Sequence, residues 1–162
     1  MSQHRISRVG VVGAGVMGTG IAAHLASAGI DVLLVDIVPK DAPPADGTAK
    51  TKAARNAFSK GGLDRALALK PAAFQRNSDA SRIAIGNLQD DLQALGACDW
   101  IVEAVTERLD IKNAVFDAIE PFRQPHTIIS SNTSGIPLAT MAQGKSEGFN
   151  SLLYKAVSTS SG

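Results

Sequence analysis

The chain has 162 residues, a formal net charge of +1 and one cysteine. The length suffices for one domain with a hydrophobic core, and the small net charge gives no electrostatic reason to bind nucleic acid. One cysteine excludes an internal disulfide framework. No apolar run reaches the ~18 residues of a membrane-spanning helix, and no signal peptide is apparent at the N-terminus. We therefore expect a cytoplasmic protein without a membrane span.

The most informative stretch runs from Val9 to Asp36. An apolar run ends in Gly13-Ala14-Gly15-Val16-Met17-Gly18, an alanine-rich segment follows, and a second apolar run ends in an acid. This order predicts a strand, a helix and a parallel strand, joined by the GxGxxG turn of dinucleotide-binding domains.

Each position of this turn has a physical reason. Gly13 permits the tight turn after the strand, Gly15 leaves room for a pyrophosphate, and Gly18 lets the helix lie close to the sheet. Asp36 is placed to accept hydrogen bonds from the hydroxyls of the adenosine ribose. A 2′-phosphate beside this carboxylate would be repelled, so the sequence favours NAD over NADP.

The rest of the chain alternates between predicted strands and helices. Further strands are predicted at 81–86, 99–105 and 127–131, and further helices at 87–95, 109–122 and 137–143. Such alternation predicts an α/β fold of the Rossmann type, a doubly wound parallel sheet with helices on both faces. We assign residues 1–149 to this domain. Residues 150–162 form a divergent tail that we expect to be flexible, with 152–157 as a candidate strand.

Between the second and third predicted strands lies a helical excursion, residues 48–70. We predict two helices, Thr48–Ser59 and Leu63–Lys70, which are broken at Lys60–Gly62 and form an antiparallel hairpin. This segment contains four cations, which form either a solvated helix face or contacts to a phosphorylated ligand: Lys50, Lys52, Arg55 and Lys60.

Ligands of open parallel sheets bind at the carboxyl ends of the strands. This rule selects Glu103–Glu107, after one predicted strand, and Ser131–Ser134, after the next. Together with the glycine-rich turn, the segments Trp100–Glu107 and Ser131–Ser134 resemble the NAD-binding domain of L-3-hydroxyacyl-CoA dehydrogenases. The resemblance covers about residues 5–149, and residues 48–74 are most similar to bacterial forms fused to an enoyl-CoA hydratase domain.

The resemblance implies roles for residues at matching positions. Gly13 to Gly18 and Asp36 match the NAD-binding loop and the ribose acid of the family. Glu107 and Lys112 match cofactor contacts near the nicotinamide ribose, with a surface pair beside a helix start as the alternative. Asn132 and Ser134 match residues near the nicotinamide and the 3-oxygen of an acyl-CoA thioester substrate, with ordinary turn chemistry as the alternative. No metal site is predicted.

The family's reaction also needs a histidine that takes the hydroxyl proton. It belongs to a His-Phe-Phe-Asn-Pro-like segment, which does not follow Phe149 here, and the family's helical C-terminal domain is absent too. We expect His4, His24 and His126 to lie away from the site, so the chain alone is expected to be catalytically incomplete and to self-associate weakly. The alternatives are a non-catalytic nucleotide-binding or interaction module and a hydroxyisobutyrate- or glycerol-phosphate-type dehydrogenase.

Overall fold

The computed structural model describes residues 5–70 and 72–155, and these contain a six-stranded parallel sheet. Its spatial order is β3-β2-β1-β4-β5-β6. This is the strand order of the Rossmann fold, so the predicted fold class is confirmed. The strands are β1 (Arg8–Val12), β2 (Asp31–Asp36), β3 (Ile83–Asn87), β4 (Trp100–Glu103), β5 (Ile128–Ser131) and β6 (Leu153–Lys155).

Helices connect these parallel strands. They are α1 (Val16–Ser27), α2 (Ala49–Arg55), α3 (Ala57–Ala68), α4 (Leu92–Gly96), α5 (Leu109–Ile119), α6 (Leu138–Ala142) and α7 (Glu147–Asn150), with a 3-10 helix at Asn77–Arg82. The first helix ends before Gly29, whose φ of 86° favours glycine. No helix in the described ranges is long and apolar enough to cross a membrane.

The hydrophobic core lies on both faces of the sheet because alternate strand residues point in opposite directions. Val32 and Leu34 of β2 pack on one face with α1 and the excursion. Leu33 and Val35 of the same strand pack on the other face with α4 and α5. A strand that is buried on both sides must be apolar throughout, which explains the continuous apolar runs in the sequence.

The helical excursion consists of two helices, but the predicted break is wrong. A single residue, Asn56, separates α2 from α3, and Gly61 and Gly62 lie inside α3 instead of breaking it. An added Cβ on Gly62 would lie 2.5 Å from the carbonyl oxygen of Ala14. This glycine therefore permits a close helix contact, and one residue rather than a turn joins the two helices.

The predicted tail is structured in its first part. Helix α7 includes Asn150, and β6 pairs in parallel with β5 through Leu153 and Tyr154. The candidate strand at 152–157 is therefore present as Leu153–Lys155. Residues 156–162, with the rest of the predicted flexible tail, lie outside the described residues.

Candidate functional site

The carboxyl ends of the central strands lie level with one another. Val12 of β1 is in register with Val35 of β2 and with Glu103 of β4, and Glu103 is in register with Ser131 of β5. The chain leaves β1 and β4 in opposite directions along the sheet, which is where open α/β sheets form their ligand crevice. The loops after β1, β2, β4 and β5 therefore meet at one edge.

The glycine-rich loop, Gly13–Gly18, turns the chain from β1 into α1. Gly13 has a φ of 108°, and a Cβ there would lie 2.6 Å from the carbonyl oxygen of Ala104. A Cβ on Gly18 would lie 1.7 Å from the carbonyl oxygen of Gly13. Both glycines are thus required by backbone conformation and close packing, with or without a ligand.

Gly15 is different because no protein atom occupies the space beside it. A Cβ there would meet nothing within 4 Å, and the following residues Val16 and Met17 are 82% and 52% exposed. No side chain caps the N-terminus of α1. The first N–H groups of a helix have no partner within the helix, and its dipole favours an anion there. This open, donor-rich end of α1 fits the pyrophosphate of a dinucleotide.

Asp36 lies at the end of β2 beside the same loop. Its Oδ2 accepts a hydrogen bond from the Ala14 N–H at 2.8 Å, and its Oδ1 accepts one from the Ile37 N–H at 2.7 Å. The carboxylate is therefore held facing the glycine-rich loop. Each oxygen has a second lone pair, which a ribose hydroxyl can use.

Two residues of the excursion that were not predicted as site residues contact this loop. In α3, Gly62 packs against Ala14 and Thr19 of the loop and α1. Arg65 donates a hydrogen bond from Nη2 to the carbonyl oxygen of Ala14 at 2.9 Å. The helical excursion thus supports the glycine-rich loop. A glycine inside a helical segment was the available signal, because such a glycine lowers helix stability unless close packing requires it.

Glu107 joins the loop after β4 to the loop after β5. Its Oε1 accepts hydrogen bonds from the Thr133 hydroxyl and, at 3.3 Å, from the Gly135 N–H. Asn132 is half-buried, and its N–H donates to the carbonyl oxygen of Glu103 at 2.7 Å. Ser134 is exposed at the same edge. The structure therefore brings the predicted nicotinamide-side residues together, while their contacts to cofactor and substrate stay predictions.

Lys112 does not lie on the surface, so the surface-pair alternative is wrong for this residue. Its side chain is fully buried, and Nζ lies 2.8 Å from Oε2 of the equally buried Glu103. Nζ also lies 3.3 Å from the carbonyl oxygen of Val105. Its predicted contact to the cofactor stays a prediction, and the structure adds a buried ion pair that was not predicted from the sequence.

The two described histidines lie away from this edge. His24 is exposed on α1, and Nε2 of His126, before β5, lies 3.6 Å from Asp99 Oδ1. His4 lies outside the described residues.

Cys98 is buried before β4, and burial raises the pKa of its thiol to about 11. A thiol in this state is a poor nucleophile at neutral pH, which fits an inert packing residue.

The excursion cations divide into two groups. Lys50, Lys52 and Lys60 are exposed, and Lys60 pairs with Asp64. Arg55 is buried, so the prediction of a solvated helix face is wrong for this residue, and its contact with a phosphorylated ligand stays a prediction. Its Nε and Nη2 donate to the two carboxylate oxygens of Asp90 at 2.7 and 2.8 Å, and Nη1 donates to the carbonyl oxygen of Pro43 at 3.0 Å.

Comparison with known proteins agrees with this geometry. Residues 8–152 match the family model described as the NAD-binding domain of 3-hydroxyacyl-CoA dehydrogenase. A probable 3-hydroxyacyl-CoA dehydrogenase from Deinococcus radiodurans is 46% identical over 98 residues, which are 60% of this chain and 28% of that protein. A putative fatty acid oxidation complex trifunctional enzyme from Rickettsia felis is 35% identical over 74 residues, which are 46% of this chain and 10% of that protein.

A solved structure extends the comparison over almost the whole chain. The crystal structure of (S)-3-hydroxybutyryl-CoA dehydrogenase PaaH1 from Ralstonia eutropha has a TM-score of 0.63 and 30% identity, and the match covers 93% of this chain and 48% of that one. The chain thus spans about half of that enzyme and 28% of the Deinococcus relative. By its family match, its strand order and the open glycine-rich loop beside Asp36, this chain belongs to the family of NAD-binding domains of 3-hydroxyacyl-CoA dehydrogenases.

Proposed function

We propose that this chain is the cofactor-binding part of a dehydrogenase that oxidises (S)-3-hydroxyacyl-CoA to 3-oxoacyl-CoA, as in fatty acid β-oxidation. The observation that carries the proposal is the empty space beside Gly15 at the uncapped N-terminus of α1, next to the fixed carboxylate of Asp36. This edge offers unpaired N–H donors to a pyrophosphate and a carboxylate to a ribose. The family match supports NAD as the cofactor.

We assign the residues of the site by the loops on which they lie and by the family positions they match. The glycine-rich loop binds the pyrophosphate and Asp36 binds the adenosine ribose. Glu107, which already joins the two loops beyond β4 and β5, lies at the nicotinamide ribose. Asn132 and Ser134 face the nicotinamide and the 3-oxygen of the substrate from the loop after β5. Lys112 supports this end of the site from beneath.

The chemistry that NAD supplies when bound is acceptance of a hydride from C3 of the 3-hydroxyacyl group. The residues of this chain bind the cofactor and orient it at the edge of the sheet. Removal of the hydroxyl proton needs a base, and neither described histidine lies at this edge. We therefore propose that the chain binds NAD and that a histidine of the family's His-Phe-Phe-Asn-Pro segment completes the reaction in whole enzymes.

The substrate and the setting of this domain are part of the same proposal. Acyl-CoA thioesters are the substrate class, and the similarity to a trifunctional enzyme supports a fused arrangement with other β-oxidation activities. Weak self-association and a cytoplasmic location stay predictions from the sequence.

The second candidate function, a non-catalytic nucleotide-binding module, is favoured by the same lack of a histidine base among the described residues at this edge.

Calorimetric titration tests the proposal. The chain is titrated with NAD, with acetoacetyl-CoA, and with each in the presence of the other. Binding of NAD supports both candidate functions, whereas binding of acetoacetyl-CoA that depends on NAD supports the dehydrogenase alone. Failure to bind NAD would overturn the proposed function.

A further inference from the structure

We propose that Glu103 is a positioning residue for the nicotinamide half of the cofactor site. The inference rests on the proposed function and extends it, because Glu103 is not among the predicted NAD or substrate contacts. Its carboxylate lies beneath the two loops that carry these contacts, which we call the 104–107 loop and the 132–135 loop. Through this carboxylate, one buried group sets the relative position of both loops.

Three donors converge on the Glu103 carboxylate. Its Oε2 accepts hydrogen bonds from Lys112 Nζ and from the Val105 N–H, both at 2.8 Å. Its Oε1 accepts one from the Ser131 hydroxyl. The Glu103, Lys112 and Ser131 side chains are shielded from solvent, since these residues are fully buried. The carboxylate therefore connects β4, the start of α5 and the end of β5.

The partners of Glu103 are close in sequence to the predicted site residues. Val105 lies two residues before Glu107, and Ser131 lies immediately before Asn132. The backbone adds a further connection, since the Asn132 N–H donates to the Glu103 carbonyl oxygen at 2.7 Å. Any displacement of the carboxylate would consequently move both loops, and with them the predicted nicotinamide contacts.

The location of this ion pair also needs an explanation. A fully buried carboxylate and ammonium are costly to remove from water, and an apolar pair of similar volume often stabilises a fold as well or better. The neighbouring contacts between α5 and the sheet are apolar, as at Val115, Phe116 and Ile119. Among the described contacts of α5 with the sheet, the fully buried ion pair lies where α5 begins beneath the ligand edge, which favours a role in setting loop geometry over a role in general stability.

The buried position of Lys112 defines how the pair acts. The Lys112 side chain has no exposed surface, and its ammonium contacts Glu103 and the Val105 carbonyl oxygen. Glu103→Gln keeps the size of the side chain and removes its charge, and so leaves Lys112 without a counter-charge. Ser131→Ala keeps the ion pair and removes only the connection to β5.

The test compares ligands that span different lengths of the site. Affinities for NAD and for ADP, which lacks the nicotinamide riboside, are measured by calorimetry on the full chain and on both variants, with thermal unfolding as the folding check. Glu103→Gln is expected to weaken NAD about tenfold and to leave ADP affinity within about twofold, because displaced loops lose the nicotinamide contacts only. Ser131→Ala is also expected to lower the ratio of the NAD affinity to the ADP affinity, but by a smaller factor.

Glu120→Gln is the matched control. Glu120 also accepts hydrogen bonds from a cation, Arg123, and from a serine hydroxyl, that of Ser146, but it follows α5 at the opposite end of the helix. Glu120→Gln should leave the ratio of the NAD affinity to the ADP affinity unchanged. If Glu103→Gln does not fold, Ser131→Ala carries the test. An unchanged ratio in a folded Glu103 or Ser131 variant, or equal weakening of both ligands, overturns the inference. Absence of NAD binding by the unmodified chain would instead overturn the proposed function.

Discussion

The carboxylate of Asp36 accepts a hydrogen bond from the backbone N–H of Ala14 at 2.8 Å, which couples the end of β2 to the loop that follows β1. The acid that we assign to the ribose therefore also holds the glycine-rich loop in place. Since both sites belong to the adenosine half of the cofactor, a change at Asp36 affects two sets of contacts at once.

We predict that NAD binds more tightly than NADP. Asp36→Ala should weaken the binding of NAD and reduce the ratio of the NAD affinity to the NADP affinity. Hydrogen bonds to a charged group contribute roughly 1.5–3 kcal/mol each, and the same charge repels a 2′-phosphate. Calorimetric titration with both cofactors measures the effect. Asp31→Ala, at the amino end of the same strand, is the control and should change neither affinity. Equal affinities for NAD and NADP in the unmodified chain would contradict the assignment of Asp36.

Gly15→Val should abolish NAD binding and leave the fold intact. The backbone of Gly15 is extended, with a φ of −75° and a ψ of −169°, and a Cβ there meets no protein atom within 4 Å. The protein therefore accommodates the side chain, which occupies the space that we assign to the pyrophosphate. Gly20→Val adds the same side chain at an open position of α1 and should bind NAD normally. Normal affinity in folded Gly15→Val would place the cofactor elsewhere.

Two neighbouring glycines of α3 should respond in opposite ways to alanine. Gly61→Ala is expected to stabilise the protein by about 0.5–1 kcal/mol, because alanine favours a helix over glycine and the nearest neighbour, Arg65 Nη1, lies at 3.5 Å. Gly62→Ala is expected to destabilise it by about 1–3 kcal/mol, since its Cβ would lie 2.5 Å from the Ala14 carbonyl oxygen. Urea unfolding measures both values. Stabilisation by both substitutions would contradict the close contact between α3 and the glycine-rich loop.

The Arg55–Asp90 pair should make stability depend on pH in acid. Hydrogen bonds from Arg55, and then from Asn87, lower the pKa of Asp90 below its ordinary value. A carboxyl whose pKa is lower in the folded state stabilises the protein fully above its unfolded pKa of about 3.9, and this contribution is lost as the pH falls through the folded pKa. Asp90→Asn should therefore cost roughly 1.5–3 kcal/mol at pH 7, and the difference from the unmodified chain should shrink below about pH 4.

Thermal unfolding of both proteins between pH 7 and pH 3 measures this difference. Asp64→Asn removes the exposed pair with Lys60 and serves as the control. It should have little effect at any pH, because exposed ion pairs contribute about 0–1 kcal/mol. A difference between Asp90→Asn and the unmodified chain that grows in acid would contradict the assigned direction of the pKa change.

The purified chain should not oxidise 3-hydroxybutyryl-CoA at a useful rate, although it binds NAD. The loss of a general base removes a factor of about 10²–10⁴, and incomplete positioning of the substrate lowers the rate further. NADH formation is followed by absorbance with excess substrate and NAD. Turnover of about 10 per second, as in ordinary enzymes, would mean that a base has been misplaced or that a second copy supplies it.

The local pattern of the chain was sufficient to predict the Rossmann fold and the centre of the site. Continuous apolar runs such as Val9–Val12 have one stable arrangement, a strand covered on both faces, and the glycines that follow must turn there. The ends of parallel strands meet at one edge, so Asp36, Glu107 and Asn132 could be placed together before any distance was known. These are consequences of short-range chemistry combined with a topological rule.

The tertiary structure decided what depends on contacts between distant segments. Gly61-Gly62 predicts a helix break from local propensity, yet the contact of Gly62 with Ala14 makes a glycine necessary inside α3. Arg55 belongs to a helix whose lysines predict a solvated face. It is buried because its guanidinium pairs with the carboxylate of Asp90, 35 residues away. The family resemblance predicts that Lys112 lies near the cofactor, but only the packing of α5 on β4 showed that its charge is buried against Glu103. Propensity is set by neighbours in sequence, whereas burial and pairing are set by neighbours in space.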